Sequence, residues 1–285
     1  MPSRTIRLLI QCPDRRGIVA AVANFIAQYD GNILDADQHT DALHGEFFMR
    51  VEIDPAVFRL SLENFTAAWQ PLADKFAMDW SIHWGAQPRR VAILVSKLSH
   101  CVSDLLWRWR EGELDAEIPL VVSNHEACRA MVEALGVEYR FLPVSAENKK
   151  VWEAEVGSLL AEARIDLIVL ARYMQVLSPA FVARYPGRII NIHHSFLPAF
   201  AGGKPYHQAF ERGVKIIGAT SHYVTDVLDD GPIIAQSTLA VNHRDSIDDL
   251  VRKGRDLERI VLANAVRAHL DDRVIVSRNK TVVFE

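Results

Sequence analysis

The run Asp166 to Ala171 (Asp-Leu-Ile-Val-Leu-Ala) most constrains the fold of this 285-residue chain. A strand with one face in water alternates apolar and polar residues, whereas this run is apolar on both faces. Such strands belong in parallel sheets that helices cover on both sides. Strand-like and helix-like segments alternate around it from Arg90 to Leu270. We therefore predict an open, mostly parallel α/β sheet in this part of the chain, with its site at the carboxyl ends of the strands.

The first 84 residues follow a different order: strand, helix, strand, strand, helix, strand. The segments are Thr5–Cys12, Ile18–Tyr29, Asn32–Thr40, Glu46–Ile53, Leu60–Phe76 and Asp79–Trp84. This order predicts a ferredoxin-like α+β domain over residues 1–84. Asp14 is expected to cap the first helix. A polar break at residues 85–89 predicts a linker, so that residues 90–285 form the second domain.

Two further segments carry specific expectations. The helix predicted over Asn148 to Arg164 places Val151, Ala154, Leu159 and Ala163 on its buried stripe. A terminal hairpin is expected between Arg273 and Phe284.

Composition indicates an ordinary globular protein. The chain is 49% hydrophobic and 24% charged, and its formal net charge is −4. These values predict no nucleic-acid partner and no membrane surface held by charge. Three widely spaced cysteines, no signal-peptide pattern and no long apolar run predict a cytoplasmic protein.

Two polar clusters follow apolar runs, one at residues 191–198 and the other at residues 221–232. Asn191 and His193 lie two residues apart in an extended segment, so their side chains point to the same face. An amide donor, an imidazole that titrates near neutral pH and the carboxylate of Asp229 suit chemistry at a carbonyl carbon. Each residue also has an ordinary structural role: Asn191 can cap a turn, His193 can be a core histidine, and acids such as Asp229 are common in turns.

Three other kinds of site fit the sequence poorly. The loop Ser96 to Cys101 opens a helix after a strand but lacks glycine, which disfavours a dinucleotide site; Lys97 there can hold an anion or lie exposed. His193 and His194 are adjacent in an extended run, so their side chains diverge and a metal site is disfavoured. Ser195 lacks the Gly-x-Ser-x-Gly turn of a serine hydrolase. We predict no bound metal.

The two polar clusters together resemble the signatures of a known family. Asn191-Ile-His-His-Ser-Phe-Leu-Pro198 and His222-Tyr-Val-Thr-Asp-Val-Leu-Asp-Asp-Gly-Pro232 are similar to those of the folate-dependent formyltransferase fold. The run Leu170 to Pro179 resembles the segment that lines the folate pocket of that family. The resemblance covers Arg90 to about Leu270.

The first domain resembles an ACT domain, with Asp14-Arg-Arg-Gly-Ile-Val19 at its first turn. An ACT domain ahead of this fold resembles the formyltetrahydrofolate deformylases. The runs Ser96 to Cys101 and Gly203 to Ala209 resemble the same subfamily.

The resemblance implies hydrolysis of 10-formyltetrahydrofolate to tetrahydrofolate and formate. By the same resemblance, the formate supplies purine synthesis and the reaction balances the one-carbon folate pools. It assigns Asn191, His193 and Asp229 to the catalytic positions. Tetrahydrofolate is then the carrier of the substrate, and no separate cofactor is expected. Arg172 is either a contact for the anionic folate tail or an exposed residue. The candidate substrate-binding residues are Ala171, Arg172, Tyr173, Met174, Val224, Thr225, His222, Lys97 and His100.

Two other functions stay open beside the hydrolase. The first is a formyltransferase that acts on an amine acceptor such as glycinamide ribonucleotide, whose relatives carry a glycine-rich loop after the first strand. Here Lys97 and His100 stand in that loop, and we expect them to fill the acceptor space and leave room for water only. The second is a binder that senses folate or an amino acid without catalysis, which the intact Asn191, His193 and Asp229 disfavour.

For the first domain we expect assembly of a homo-oligomer through the open edges of the sheet. An effector such as glycine or methionine is expected near Gly17, where a helix begins and free backbone N–H groups can receive a carboxylate. A permanent dimerisation module without a ligand is the alternative.

Overall fold

The computed structural model describes residues 5–85, 87–198 and 205–285. The chain divides into two compact units. The first contains residues up to Pro88 together with Asp272–Ser277 and Val282–Glu285, and the second contains Arg89–Asp271 and Arg278–Thr281. Within the described ranges, no helix is both long and apolar enough to cross a membrane.

The first unit is built on a four-stranded antiparallel sheet with two helices. Its elements are β1 (Ile6–Pro13), α1 (Ile18–Gln28), β2 (Ile33–Asp41), β3 (Glu46–Ile53), α2 (Leu62–Phe76) and β4 (Asp79–Trp84). The strand order β2-β3-β1-β4 puts β3 and β1 in the centre. Every pairing between these strands is antiparallel. The predicted ferredoxin-like arrangement is confirmed.

Alternation along β1 directs every second side chain into the core of this unit. Ile6, Leu8 and Ile10 are fully buried and belong to the same apolar cluster as residues of both helices. In α1 the apolar residues Ile18, Val22, Phe25 and Ile26 recur at helical spacing and are buried. The predicted cap at Asp14 is wrong, because the chain turns once more after it and α1 begins behind Gly17, whose φ is 89° and which offers no capping side chain.

The second unit is built on a seven-stranded sheet of order β11-β10-β9-β8-β5-β6-β7. Pairings from β9 through β8, β5 and β6 to β7 are parallel, whereas β10 is antiparallel to β9 and to β11. This confirms the predicted open, mostly parallel α/β sheet. The elements are β5 (Arg89–Val95), α3 (His100–Arg110), β6 (Ala116–Ser123), α4 (Arg129–Ala134), β7 (Glu138–Phe141), α5 (Lys149–Glu162), β8 (Leu167–Ala171), α6 (Pro179–Val182), β9 (Ile189–His193), α7 (Pro205–Arg212), β10 (Ile216–Tyr223), β11 (Ile233–Ala240) and α8 (Ile247–Leu270).

Two features of this unit differ from the sequence-based expectation. Strand β11 was not predicted, because its apolar and polar residues do not alternate regularly and its pairing with β10 defines it. The buried stripe predicted for α5 is wrong: Val151 is 70% exposed and the adjacent Trp152 is 4% exposed. The Trp152 ring stacks on Tyr173 with ring centroids 5.7 Å apart, and burying the larger indole sets the rotation of the helix.

The chain ends in the predicted hairpin, formed by β12 (Val274–Ser277) and β13 (Lys280–Val283). Ile275 and Phe284 pack with Phe48 of β3 in a small buried cluster. The Arg50 guanidinium Nε donates to the Asp272 carbonyl oxygen at 2.9 Å. The sequence assigned all of residues 90–285 to the second domain. The structure instead places Asp272–Ser277 and Val282–Glu285 in the first unit. The reason is that Ile275, Phe284 and the Asp272 carbonyl oxygen contact residues of β3, which belongs to that unit.

Candidate active site

Asn191 and His193 lie at the carboxyl end of β9, and their side chains share one face of that strand. β9 pairs with β8 on one side and with β10 on the other. Residues 172–177 follow β8, so they meet the end of β9 at the same edge of the parallel sheet. On the other side, His222 of β10 lies opposite Asn191.

Asp229 reaches the site through a loop that turns back on itself. Because β10 runs antiparallel to β9, its last residues lie beside the start of β9, and the Val224 N–H donates to the Ile189 carbonyl oxygen at 2.9 Å. The loop then returns, and Asp229 adopts a left-handed conformation with φ 55°. A Cβ on Gly231 would lie 1.7 Å from the Tyr223 carbonyl oxygen, so this close approach requires glycine.

His193 and Asp229 form the polar centre of the site. The Asp229 carboxylate Oδ2 is 3.2 Å from Nδ1 of His193, whose side chain is 6% exposed. The hydrogen bond from His193, with a smaller contribution from the nearby His222 ring, holds the pKa of the Asp229 carboxyl well below its ordinary value, so this group is ionised at neutral pH. The other ring nitrogen of His193, Nε2, is buried and has no hydrogen-bond partner among the described residues. A substrate atom can therefore complete the hydrogen bonding of this ring.

The tautomer of His222 follows from its two hydrogen bonds. Its Nδ1 lies 2.8 Å from the Tyr223 carbonyl oxygen, which can only accept, so Nδ1 carries the proton. In the neutral ring Nε2 is then an acceptor, and the Asn191 amide nitrogen lies 3.3 Å from it. One N–H of the Asn191 amide is used in this way. The second N–H remains for a substrate oxygen.

A cavity of about 330 Å³ opens on these side chains. Its walls are residues 172–177 after β8, residues 191–194 of β9 and its exit, and residues 224–229 after β10. Met174, Val176, Val227 and Leu228 line it and are more than half exposed. The cavity thus combines a buried polar end with an apolar rim, as small-molecule sites commonly do.

Most of the residues expected at the site line this cavity. Asn191, His193, Asp229, His222, Arg172, Tyr173, Met174, Val224 and Thr225 do so. Ala171 does not: it is fully buried at the end of β8, below the backbone that forms the wall. Lys97 is exposed and lines none of the described cavities. His100 faces a second cavity of about 480 Å³ that is also lined by Arg252, Arg255 and Arg259.

Arg172 lines the cavity and is not an exposed surface residue. Its side chain is 11% exposed, and its Nε lies 3.4 Å from the Glu258 carboxylate. The same carboxylate accepts from Tyr206 through Oε1 at 2.7 Å, and its Oε2 is 2.7 Å from His100 Nε2. We refer to Glu258, His100, Tyr206 and Arg172 as the Glu258 network.

Glu258 and Tyr206 were missed at the sequence level, although the sequence contains a signal for Glu258. It lies on the buried stripe of α8, four residues after Gly254 and three before Val261, where a carboxylate needs partners. Burial would raise the pKa of Glu258, but hydrogen bonds from His100 and Tyr206 and the charge of Arg172 lower it below its ordinary value. Glu258 is therefore a buried carboxylate anion. Residues 199–204, where the motif Gly203 to Ala209 begins, lie outside the described residues.

His100, Cys101 and Glu258 offer three donor atoms within 4.8 Å of one another. Both Glu258 oxygens already bind His100 or Tyr206, and the Arg172 cation lies beside them. Burial and the charge of Glu258 also raise the pKa of the Cys101 thiol well above its ordinary value. A thiolate ligand and a second cation are both disfavoured there, so the cluster fits a hydrogen-bonded network better than a metal site.

Comparison with known proteins agrees with this fold. The family described as Formyl transferase matches residues 89–266, and the ACT domain family matches residues 6–65. The chain therefore falls in the class of proteins with an ACT domain ahead of a formyl transferase domain.

Similarity over the full length is more specific. The formyltetrahydrofolate deformylase of Synechocystis sp. is 54% identical over 284 residues, which is 100% of both chains. The crystal structure of a formyltetrahydrofolate deformylase from Pseudomonas syringae pv. tomato has a TM-score of 0.96 at 53% identity and covers 99% of this chain and 94% of that one. This chain belongs to the formyltetrahydrofolate deformylase family.

The transferase branch of the fold is more distant. The glycinamide ribonucleotide transformylase 1 of Symbiobacterium toebii has a TM-score of 0.67 at 28% identity. The match covers 70% of this chain and 96% of the transformylase chain.

Proposed function

We propose that this chain hydrolyses 10-formyltetrahydrofolate to tetrahydrofolate and formate, with water as the acceptor. Two contacts of the His193 ring carry the proposal: the Asp229 carboxylate holds Nδ1, and Nε2 is buried at the cavity without a hydrogen-bond partner among the residues that the structure describes. Relatives of the same length and domain composition carry the name of this activity. The formate would serve purine synthesis and the balance of one-carbon folates.

The folate is bound by the wall of the 330 Å³ cavity. Backbone groups of residues 172–177 and 224–229 hydrogen-bond the polar edge of the pterin. The exposed apolar rim, formed by Met174, Val176, Val227 and Leu228, packs against the rings of the ligand. Met174 is held in place because its N–H donates to the Ser96 hydroxyl at 3.0 Å. No separate cofactor takes part, since the substrate itself carries the formyl group.

Catalysis begins when water attacks the formyl carbon and the carbonyl oxygen becomes an oxyanion. The free N–H of the Asn191 amide and a protonated Nε2 of His193 stabilise that oxygen. The ionised Asp229 stabilises the positive charge on the His193 ring and fixes its orientation through Nδ1. One such oxyanion donor typically accounts for about a hundred- to a thousand-fold in rate.

Collapse of the tetrahedral intermediate breaks the bond between the formyl carbon and N10. The nitrogen takes up a proton as it leaves, and the attacking water loses one, so formate and tetrahydrofolate are the products. Asp229 and His193 are the groups within reach that can hold and move these protons.

A formate assay tests the function. The chain is incubated with 10-formyltetrahydrofolate, with and without glycinamide ribonucleotide. We expect one formate for each tetrahydrofolate in both reactions and no formylated ribonucleotide. Formyl transfer to the amine, with negligible formate when the amine is absent, would make this protein a transferase.

We propose that the first unit assembles the chain into a homo-oligomer and binds a small amino-acid effector, glycine or methionine. We also propose that the protein acts in the cytoplasm. The edge strand β2 is largely exposed and polar, and α1 begins behind Gly17 with first-turn N–H groups available to a carboxylate. Sedimentation of the full chain tests assembly, and a monomer at micromolar concentration would contradict it. Calorimetric titration with each amino acid tests the effector, and the absence of heat with both would contradict it.

A further inference from the structure

The two sides of His193 are occupied very differently. On the β10 side lie Asp229, whose carboxylate is 3.2 Å from Nδ1 of His193, and His222 beside it. On the β8 side lies the Glu258 network, which spans the carboxyl ends of β8 and β5 because Arg172 follows β8 and His100 opens the helix after β5. This edge of an open α/β sheet is where a second substrate would bind.

The Glu258 network fills that edge with buried polar side chains. Glu258 is 1% exposed, and Arg172 and His100 are 11% and 13% exposed. Contacts run without a break to the catalytic ring: the His193 and His194 rings are 5.1 Å apart, the His194 and Tyr206 rings are 6.2 Å apart, and the Tyr206 hydroxyl donates to Glu258.

Helix α8 is shaped to permit this packing. A Cβ on Gly254 would lie 2.1 Å from the Tyr206 hydroxyl oxygen, so glycine at this position lets Tyr206 reach Glu258 one turn further along. Glycine inside a helix is ordinarily unfavourable relative to alanine. Its presence here makes room for the contact between Tyr206 and Glu258.

The network also lies between two cavities. His100 lines the cavity of about 480 Å³, whose other side chains include Arg252, Arg255 and Arg259. Arg172 and His194 line the cavity that contains His193. Glu258 joins His100 to Arg172, so its carboxylate holds together the wall between this second cavity and the cavity that contains His193.

We propose that Glu258 is a positioning residue that determines acceptor specificity: by holding His100, Tyr206 and Arg172 together, it closes the β8 side of His193 to amines and leaves the formyl carbon accessible to water only. This inference rests on the proposed hydrolysis and adds to it the residue that excludes a competing nucleophile. Without the wall, the nitrogen of a small amine attacks the formyl carbon and loses a proton, the bond to N10 breaks, and N10 gains a proton.

Competition between water and hydroxylamine for the formyl group measures directly how well the wall excludes an amine. The full chain is supplied with 10-formyltetrahydrofolate and hydroxylamine, and formate and formohydroxamate are both quantified against an enzyme-free reaction. We expect the unmodified chain to release formate with no formohydroxamate above background. Glu258→Ala should raise the ratio of formohydroxamate to formate by about tenfold or more, the scale on which a pocket discriminates between small groups.

Matched variants separate positioning from a general loss of structure. Glu258→Gln keeps the shape and the acceptor for Tyr206, and should retain most of the selectivity for water. Asp256→Ala removes an exposed carboxylate of α8 whose ion pair within the described part of the chain is with Arg259, and should behave as the unmodified chain. Damage to the fold would lower total turnover in every reaction without changing the product ratio.

His100→Ala removes another member of the same wall. If Glu258→Ala does not fold, the ratio of formohydroxamate to formate in His100→Ala tests the proposal instead. An unchanged product ratio in folded His100→Ala and Glu258→Ala would overturn the proposal, while formate release by the unmodified chain would still stand. If the unmodified chain releases no formate, the proposed hydrolysis is wrong, a result that differs from a failure of the role proposed for Glu258.

Discussion

The Asp229 carboxylate sets the orientation of the His193 ring, since it binds Nδ1 at 3.2 Å. Among the described residues, no carboxylate is paired in this way with the neighbouring His194. Burial and the Arg172 charge lower the pKa of His194 to about 4, so it is neutral at pH 7. Two adjacent histidines thus differ in chemistry because one faces a carboxylate and the other faces an arginine.

Substitution of the three proposed catalytic residues tests this arrangement. Asn191→Ala, His193→Ala and Asp229→Ala should each leave the chain folded and lower the rate of formate release by about a hundred- to ten-thousand-fold, the usual range for acid–base groups. The measurement is turnover of 10-formyltetrahydrofolate together with a circular dichroism spectrum.

Asp230→Asn is the control, because Asp230 is exposed and lies next to Asp229 without contacting His193. Its turnover should stay close to that of the unmodified chain. If any of the three alanine variants stays within about threefold of the parent, far below that range, the role proposed for that residue is wrong.

At the scale of elements, α5 and α8 show how a helix face is chosen by what it packs against. α5 carries apolar residues on several faces, and the face that contains Trp152, Val156 and Leu160 is the one that is buried. In α8 the buried stripe includes Glu258, a residue whose charge alone would assign it to the surface. Its partners Tyr206 and His100 come from other helices.

Two neighbouring substitutions in α5 test the rotation of that helix. Trp152→Ala should lower the free energy of unfolding by about 3–5 kcal/mol, because it leaves a cavity beside Tyr173 and removes the indole that donates to the Leu142 carbonyl oxygen. Val151→Ala should change it by less than about 0.5 kcal/mol, since Val151 is largely exposed. Urea denaturation measures both, and equal effects would contradict the observed rotation.

At the scale of the whole molecule, buried neutral histidines couple stability to pH. Burial and the Arg89 charge lower the pKa of His269 to about 3, and the Tyr223 hydroxyl lies 2.7 Å from its Nδ1. His194 is lowered to about 4. Both histidines have pKa values below the unfolded value of 6.5, so the unfolded chain binds more protons as pH falls below 6.5.

We therefore expect stability to be retained above pH 6.5 and to fall between pH 6.5 and 4, by about 3 kcal/mol for each histidine. His269→Gln should remove about half of that loss, whereas His243→Gln, at an exposed position, should leave it unchanged. The check is the free energy of unfolding at several pH values, and a pH dependence that His269→Gln does not alter would contradict the expectation.

Local patterns in the chain determined much of the architecture and part of the site. The doubly apolar run that became β8, the element order of the first unit, most of the elements of the second, and the grouping of Asn191, His193 and Asp229 were all expected from the sequence. Periodicity and turn chemistry depend on a few neighbouring residues, so they can be read from the sequence before the fold is known. The roles of the three residues in catalysis remain predictions.

Only the tertiary structure decided the partners that come from far along the chain. His100 and Glu258 are 158 positions apart, yet they share a hydrogen bond of 2.7 Å. The packing of Ile275 against Phe48, which places the terminal hairpin in the first unit, is equally long-range. A buried charge is stable only beside its partners, and a helix buries the face that its neighbours fit. Which residues become neighbours depends on how all the elements pack, and no local pattern contains that information.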